Sequence, residues 1–221
     1  MSRSLPASKS ASSARTVRAR LLVDGAHYDE LIARTVVNAK VSVWIATANL
    51  KTMLVEAPVG TRARARGRYV SFFENLSDLA KRGVDVCILH ASRPSGPLSK
   101  ELDRLANRSD RHVKMRQCPR VHLKMIAVDG SFLYLGSANL TGAGLGAKGE
   151  GRRNFEMGIV TDNDAMLDET QAKFDRIWRG GECASCKLRS ECPAPLDLKR
   201  KKPATSRASS IRAARSLSAP R

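Results

Sequence analysis

Acidic residues are missing from both ends of this 221-residue chain, and large apolar residues are nearly missing there too. Residues 1–20 hold five basic residues (Arg3, Lys9, Arg15, Arg18, Arg20), and residues 199–221 hold eight (Lys199, Arg200, Lys201, Lys202, Arg207, Arg212, Arg215, Arg221). Rich in Ser, Ala and Pro, neither end can bury enough surface to offset the entropy lost on ordering. Residues 1–20 and 199–221 are therefore expected to be disordered basic tails. Also missing is any stretch of roughly eighteen apolar residues, which argues against a transmembrane segment. No continuous apolar run follows the first arginine, which argues against a secretory signal. The expectation is a cytoplasmic protein.

The formal charge is +18, and the tails supply most of it, leaving about +5 for the body. Basic tails are drawn to polyanions, because neutralising phosphates releases condensed counterions. DNA or RNA is the partner this favours, and a solubilising tail without a partner is the plain alternative. Lys199–Lys202 also has the composition of a nuclear signal.

Within the body, VHLKMIAVDGSFLYLGSAN at 121–139 sets His122 and Lys124 one residue apart, Asp129 after them, then Gly136-Ser137-Ala138-Asn139. Residues 121–128 are rich in Val, Leu and Ile and read as a buried strand. Side chains two apart on a strand share a face, so His122 and Lys124 project together. Asp129-Gly130 is a hairpin signal, and the returning strand at Phe132–Leu135 carries Ser137 and Asn139 back beside the histidine. One nucleophile and three hydrogen-bond donors would then converge, a set suited to the non-bridging oxygens of a phosphate. His112 and Lys114 repeat the H-x-K spacing, but Pro119 stands where the aspartate would be, so that stretch reads as an ordinary strand.

The H-x-K-x4-D-x6-G-S-x-N pattern resembles the phospholipase D superfamily, and the single motif resembles its nuclease branch. The similarity extends over roughly residues 25–180, including Ala39–Asn49, Leu79–Leu89 and Asn154-Phe155-Glu156. It implies an α-β-α sandwich around a mixed β-sheet, and catalytic residues His122, Lys124, Asp129, Ser137, Asn139 and Glu156. In that branch the glutamate holds the catalytic histidine, a part that falls here to Glu156. Asp129 belongs to the signature, but its turn position argues for a structural or indirect part. Catalysis in the superfamily uses two histidines on opposite sides of phosphorus, so a chain with one motif implies a homodimer with a shared active site. One His122 would attack to form a phosphohistidine and the other would act as acid and then base, with no metal or other cofactor in the reaction. Two alternatives are a phospholipase D-type hydrolase of lipid head groups and a nucleic-acid-binding protein that keeps the fold without activity.

Arg62, Arg64, Arg66 and Arg68 alternate along the loop Ala57–Arg68, which would either line a nucleic-acid groove or be a solvated insertion. The resemblance places Arg152 and Arg153 nearer the substrate phosphates. Cys183, Cys186 and Cys192 form C-x2-C-x5-C, a spacing able to wrap one ion. The triplet resembles the terminal cysteines of certain iron–sulfur DNA exonucleases. A structural zinc or iron–sulfur cluster stands against isolated thiols or a redox disulfide. Cys118 and Cys87 are the candidates for a fourth ligand, with Cys87 in mid-strand.

The helices expected are Tyr28–Lys40, Tyr69–Arg82, Leu98–Asn107 and Asp164–Arg179. The strands expected are Val41–Ala48, Val84–Leu89, His112–Arg116, Val121–Val128, Phe132–Leu135 and Phe155–Thr161. The order implies α/β with a mixed sheet covered on both faces. One catalytic domain at 21–181 would be followed by a cysteine-containing segment at 182–198.

Overall fold

The computed structural model of the chain describes residues 14–57, 59–107 and 113–197. His112, residues 1–13 of the first expected tail and all of the second lie outside the described residues. Seven strands form one mixed sheet. Its spatial order is β1 (Arg20–Val23), β9 (Met157–Thr161), β8 (Phe132–Gly136), β7 (Met125–Val128), β2 (Ser42–Thr47), β5 (Asp85–His90) and β6 (Lys114–Gln117). β2, β5 and β6 run parallel, and β7, β8, β9 and β1 add antiparallel from β2 outward.

The period of two along each strand divides the core. On β2, Val43 and Ile45 join a cluster containing Leu31, Ile32, Phe72, Leu76 and Leu98, while Ala46 and Trp44 join a second containing Leu167 and Phe174. The first cluster is roofed by a π-helix at Tyr28–Thr35 that runs into a 3-10 turn at Val36–Asn38, by α2 (Phe72–Lys81) and by α3 (Gly96–Asn107). The second is covered by α4 (Asp164–Trp178), where Phe174 stacks on Trp44 at 5.2 Å and on Trp178 at 5.6 Å. The result is the expected α-β-α arrangement.

Three elements differ from the sequence reading. Residues 69–82 have a helical period, but Tyr69–Ser71 forms β4 by pairing antiparallel with β3 (Leu54–Glu56). α2 therefore begins at Phe72, capped by Ser71, whose hydroxyl accepts from the Phe73 N–H at 3.1 Å. Here tertiary pairing overrides local propensity. The arginine loop between β3 and β4 closes as a short helical turn, α1 (Arg62–Ala65). The amino-terminal boundary also moves. β1 starts at Arg20, inside the stretch read as tail, and the Arg18 carbonyl accepts from the Thr161 hydroxyl at 2.6 Å.

Asp129 and Gly130 both have positive φ (53° and 65°), as a tight hairpin turn requires. The Asp129 carboxylate accepts backbone N–H bonds from Lys40 (2.9 Å), Val41 (2.8 Å) and Ser42 (2.9 Å), pinning the β7–β8 turn to the start of β2. Partial burial pushes its pKa up, but the Ser42, Val41 and Lys40 amides outweigh this and hold it below the ordinary value. Asp129→Ala should cost about 2 kcal/mol, since hydrogen bonds to a charged group typically contribute roughly 1.5–3 kcal/mol. Because the folded-state pKa is depressed, that contribution is complete above pH about 4 and is lost as pH falls below it. Denaturant unfolding at neutral and acid pH checks both: a variant as stable as wild type at pH 7 refutes the anchoring role.

Candidate active site

The parallel strands β2 and β5 end at Thr47 and His90, and ligands of open α/β sheets bind beyond such carboxyl ends. β7 starts at this same end, because Met125 pairs with Ala46. His122 and Lys124 therefore sit just before β7 in an extended segment, entered through a turn in which Val121 N–H donates to the Cys118 carbonyl at 2.9 Å. This corrects the expectation of a strand from Val121 onward. The β7–β8 ladder still reaches one step further, with Gly136 N–H donating to the Lys124 carbonyl at 3.2 Å. Ser137 N–H to the Met157 carbonyl (3.0 Å) carries the same edge onto β9. His122, Lys124, Ser137, Asn139 and Glu156 thus meet at one sheet end. Asp129, at the far end of β7, is not among them.

Each side chain is held for a local reason. The Lys124 ammonium lies 3.0 Å from His122 Nδ1 and 3.2 Å from Nε2, so it can donate to whichever ring nitrogen is unprotonated. It also donates to the His122 carbonyl at 3.1 Å. Asn139 Oδ1 accepts the Asn49 N–H at 3.1 Å, which fixes the amide so that its NH2 remains a donor. Thr47 braces the same corner: its hydroxyl donates to the Asn49 carbonyl at 2.7 Å and accepts from Leu140 N–H at 3.0 Å. The Ser137 hydroxyl donates to Glu156 and accepts from Met157 N–H at 3.1 Å.

Glu156 is buried, and its other carboxylate oxygen accepts from Asn154 Nδ2 at 3.0 Å. Its main chain is locked to Asp24. Glu156 N–H donates to Asp24 Oδ1, and Asp24 N–H donates to the Glu156 carbonyl, both at 2.9 Å. Among the described residues no hydrogen bond joins Glu156 to His122. Its carboxylate serves Ser137 and Asn154 instead, and so ties the ends of β8 and β9 together.

The glycine of G-S-x-N has a packing cause. Tyr134 is buried, and its ring lies across Gly136 and Gly158, where any Cβ would collide with it. Its hydroxyl accepts from Ala138 N–H at 3.3 Å, which sets the backbone between Ser137 and Asn139. Burial pushes the Tyr134 phenol up to about 12, so it stays a neutral strut.

Residues 32–178, which contain the sheet end just described apart from Asp24, match the family model for the cardiolipin synthase, PLD-like domain. The chain belongs to this phospholipase D-like family. Over 130 residues, 57% of its length, it is 32% identical to the 5'-3' exonuclease PLD3 of Rattus norvegicus. It spans about a quarter of that relative, 25%. Nuc from Salmonella typhimurium, a phospholipase D family member, shares the fold, with a TM-score of 0.50 and 20% identity over 73% of this chain and 95% of that one. NucT from Helicobacter pylori aligns over the same shares, 73% and 95%, with a TM-score of 0.46 and 17% identity.

In this phospholipase D-like chain the arginines are divided. Arg64 pairs with Glu56, while Arg62, Arg66 and Arg68 are exposed. The excursion that carries them leaves β2 beside the site, where Lys51 N–H donates to the Leu140 carbonyl at 3.0 Å. Arg153 packs its guanidinium over Gly25 and pairs with Glu150 at 3.3 Å, and Arg152 is exposed in the 3-10 turn Glu150–Arg152. Cys183, Cys186 and Cys192 border a separate cavity together with Cys118. Sequence reasoning missed Asp24, Thr47, Asn49 and Tyr134. Their roles arise from hydrogen bonds across 90 to 132 residues of chain or from ring packing, and no local spacing signals either.

Proposed function

We propose that this chain is a metal-independent nuclease that hydrolyses nucleic-acid phosphodiester bonds through a phosphohistidine on His122. The observation that carries this reading is the convergence of His122, its Lys124 partner, the oriented Asn139 amide and the Ser137–Glu156 pair at one sheet end. His122 attacks phosphorus, and the bond to the leaving oxygen breaks. His122 of the partner subunit protonates that oxygen. It then takes a proton from water, which attacks phosphorus, breaks the P–N bond and frees the first histidine. Lys124 and Asn139 donate to the non-bridging oxygens as charge rearranges. Ser137 joins them only when its hydroxyl turns from Glu156.

Metal independence rests on the donor set. An ammonium, an amide and two imidazoles supply the positive and hydrogen-bonding character that a cation would bring, and the Glu156 carboxylate is already engaged by Ser137 and Asn154. The dimer reading is supported by apolar side chains around the site. Leu21, Val23 and Met157 face outward from the β1–β9 edge, and Phe155, beside Glu156, is 94% exposed. Nucleic acid is favoured over lipid by the basic balance of the chain, by Arg152 and Arg153 at the approach, and by the exonuclease activity in the name of the 32% identical relative. All five cysteines are free, which suits the cytoplasm.

Plasmid nicking in excess EDTA, run beside hydrolysis of a fluorescent phospholipid, tests the reading. Cleavage of DNA or RNA with inert lipid is the expected result. Lipid turnover alone, or binding without cleavage, overturns it. The shared site has its own check. Wild-type and His122→Ala subunits mixed in equal amounts and allowed to exchange should retain about a quarter of full activity, because only a quarter of random dimers keep both histidines. Retention of half, or an active monomer in sedimentation, refutes sharing.

A further inference from the structure

We infer that Cys118, Cys183, Cys186 and Cys192 form a tetrathiolate metal centre that braces the chain leading into His122. The four side chains, from two segments 65 or more residues apart in sequence, line one cavity of about 30 Å³ between the end of β6 and the segment after α4. A site needs roughly 10–15 Å³ to admit a water-sized guest, so an ion fits.

The backbone prepares the arrangement. After α4 the chain has no further helix or strand among the described residues; it runs as successive turns. Cys183 N–H donates to Gly180, Cys186 to Cys183, Arg189 to Cys186 and Cys192 to Arg189, at 2.9–3.3 Å. Turns three residues apart return the thiols of 183, 186 and 192 to one side. Cys118 approaches from the other wall, tied to the end of β5 by its N–H on the His90 carbonyl at 2.8 Å.

Cys87 is thereby excluded as the fourth ligand. It points into the core under α4, hydrogen-bonds Asp85, and does not line the cavity.

The surroundings also fit an anionic centre. Arg120 and Arg189 both border the cavity, Arg189 while paired with Asp197 at 2.7 Å. Two guanidiniums offset part of the charge that four thiolates bring. The segment is otherwise weakly anchored: in residues 179–197 Leu196 is the large apolar side chain that is buried, helped by Arg116, which donates to the Trp178 and Leu196 carbonyls. Ordering these nineteen residues costs roughly 1–2 kcal/mol each in backbone entropy, a cost that metal binding would help to offset. Among the described residues no three such ligands are yet drawn to metal distance. Closing the four thiols on one ion therefore falls to side-chain rotation, each Sγ moving by a few ångströms between staggered χ1 rotamers. Binding of Zn2+ then releases the four thiol protons to solvent.

The centre has a consequence for the site. Cys118 begins the turn Cys118–Val121, and His122 follows directly. A ligated Cys118 fixes the entry of the histidine segment and joins it to the carboxy-terminal segment.

The full chain, purified anaerobically without chelator, should contain about one zinc, or about four iron with four acid-labile sulfides, per chain. Absorbance near roughly 400 nm marks the cluster, since it reports thiolate-bound iron. X-ray absorption at the metal edge should show four sulfur neighbours, at about 2.3 Å for zinc. Cys118→Ser and Cys186→Ser should each cut metal content at least tenfold, while Cys87→Ser keeps it. Chelation of wild-type protein should lower its melting temperature, a reading that needs no variant. Metal-free wild-type protein whose melting temperature is unmoved by Zn2+ or chelator overturns the proposal, as does a disulfide among the four cysteines found by mass spectrometry. A Cys118→Ser protein with full metal overturns the tetrathiolate. None of these readouts depends on nuclease activity, so the centre and the reaction can fail separately.

Discussion

His122→Ala should reduce cleavage by at least about 10²-fold and toward 10⁴-fold, because in the proposed mechanism one substitution removes both the nucleophile and, across the proposed dimer, the acid. Little else should change. The ring is exposed, and among the described residues its hydrogen bonds run to Lys124, so the melting temperature and circular dichroism should match wild type. Affinity for a short oligonucleotide should also stay within a few-fold, since Lys124, Asn139 and the basic surface remain. The measurement is single-turnover cleavage at saturating enzyme, which separates chemistry from binding. Trapping of labelled phosphate on wild-type but not variant protein in acid-quenched samples would identify the phosphohistidine. Residual cleavage above about one per cent of wild type, the low end of the acid–base range, would sink the assignment.

Glu156→Ala should be nearly as damaging to rate and, unlike His122→Ala, should also damage the fold. The buried carboxylate accepts from Ser137 and Asn154, so its removal takes that partner from Asn154 Nδ2 and turns the Ser137 hydroxyl to the Met157 carbonyl at 3.2 Å. A stability loss of about 1–3 kcal/mol is expected from the two lost hydrogen bonds, each worth roughly 0.5–1.5 kcal/mol. A fall of roughly 10²–10³ in kcat is expected if the displaced donors matter to the developing charge. Glu156→Gln separates the two effects. It preserves the shape and the backbone pairing with Asp24, and its single carbonyl oxygen can still accept one of the two bonds. Most of the stability should return while much of the kcat loss persists. Glu156→Gln with wild-type kcat would make Glu156 a purely structural residue; Glu156→Ala with both properties intact would remove it from the site.

The distance between chemistry that can be read along the chain and chemistry that must be folded is clear in the motif itself. His122, Lys124, Ser137 and Asn139 were legible because a strand, a two-residue turn and a returning strand convert fixed sequence spacing into fixed spatial neighbours. The positive φ of Asp129 and Gly130 confirms that turn. Asp129 shows where spacing misleads. It belongs to the signature, but its carboxylate binds the amides of Lys40, Val41 and Ser42 at the opposite end of β7. The identity of those partners could not be read from a local pattern. Similarly, the helical period of 69–82 was real, but β3 captured Tyr69–Ser71, because a ladder that pairs Val55 with Val70 outweighs propensity over three residues.

By itself the sequence determined the alternation of strands and helices, the two-sided burial of the sheet and the convergence of the histidine motif, all of which follow from periodicity and short-range turns. Tertiary structure alone decided which groups hold those residues in place. Asp24 clasps Glu156 from 132 residues away, Asn49 orients Asn139 across 90, and Tyr134 makes glycine obligatory at 136 and 158. It also chose Cys118 over Cys87 as the companion of the carboxy-terminal thiols. These are contacts between strands paired in space and not in sequence, and their partners are set by sheet order, which no spacing along the chain encodes.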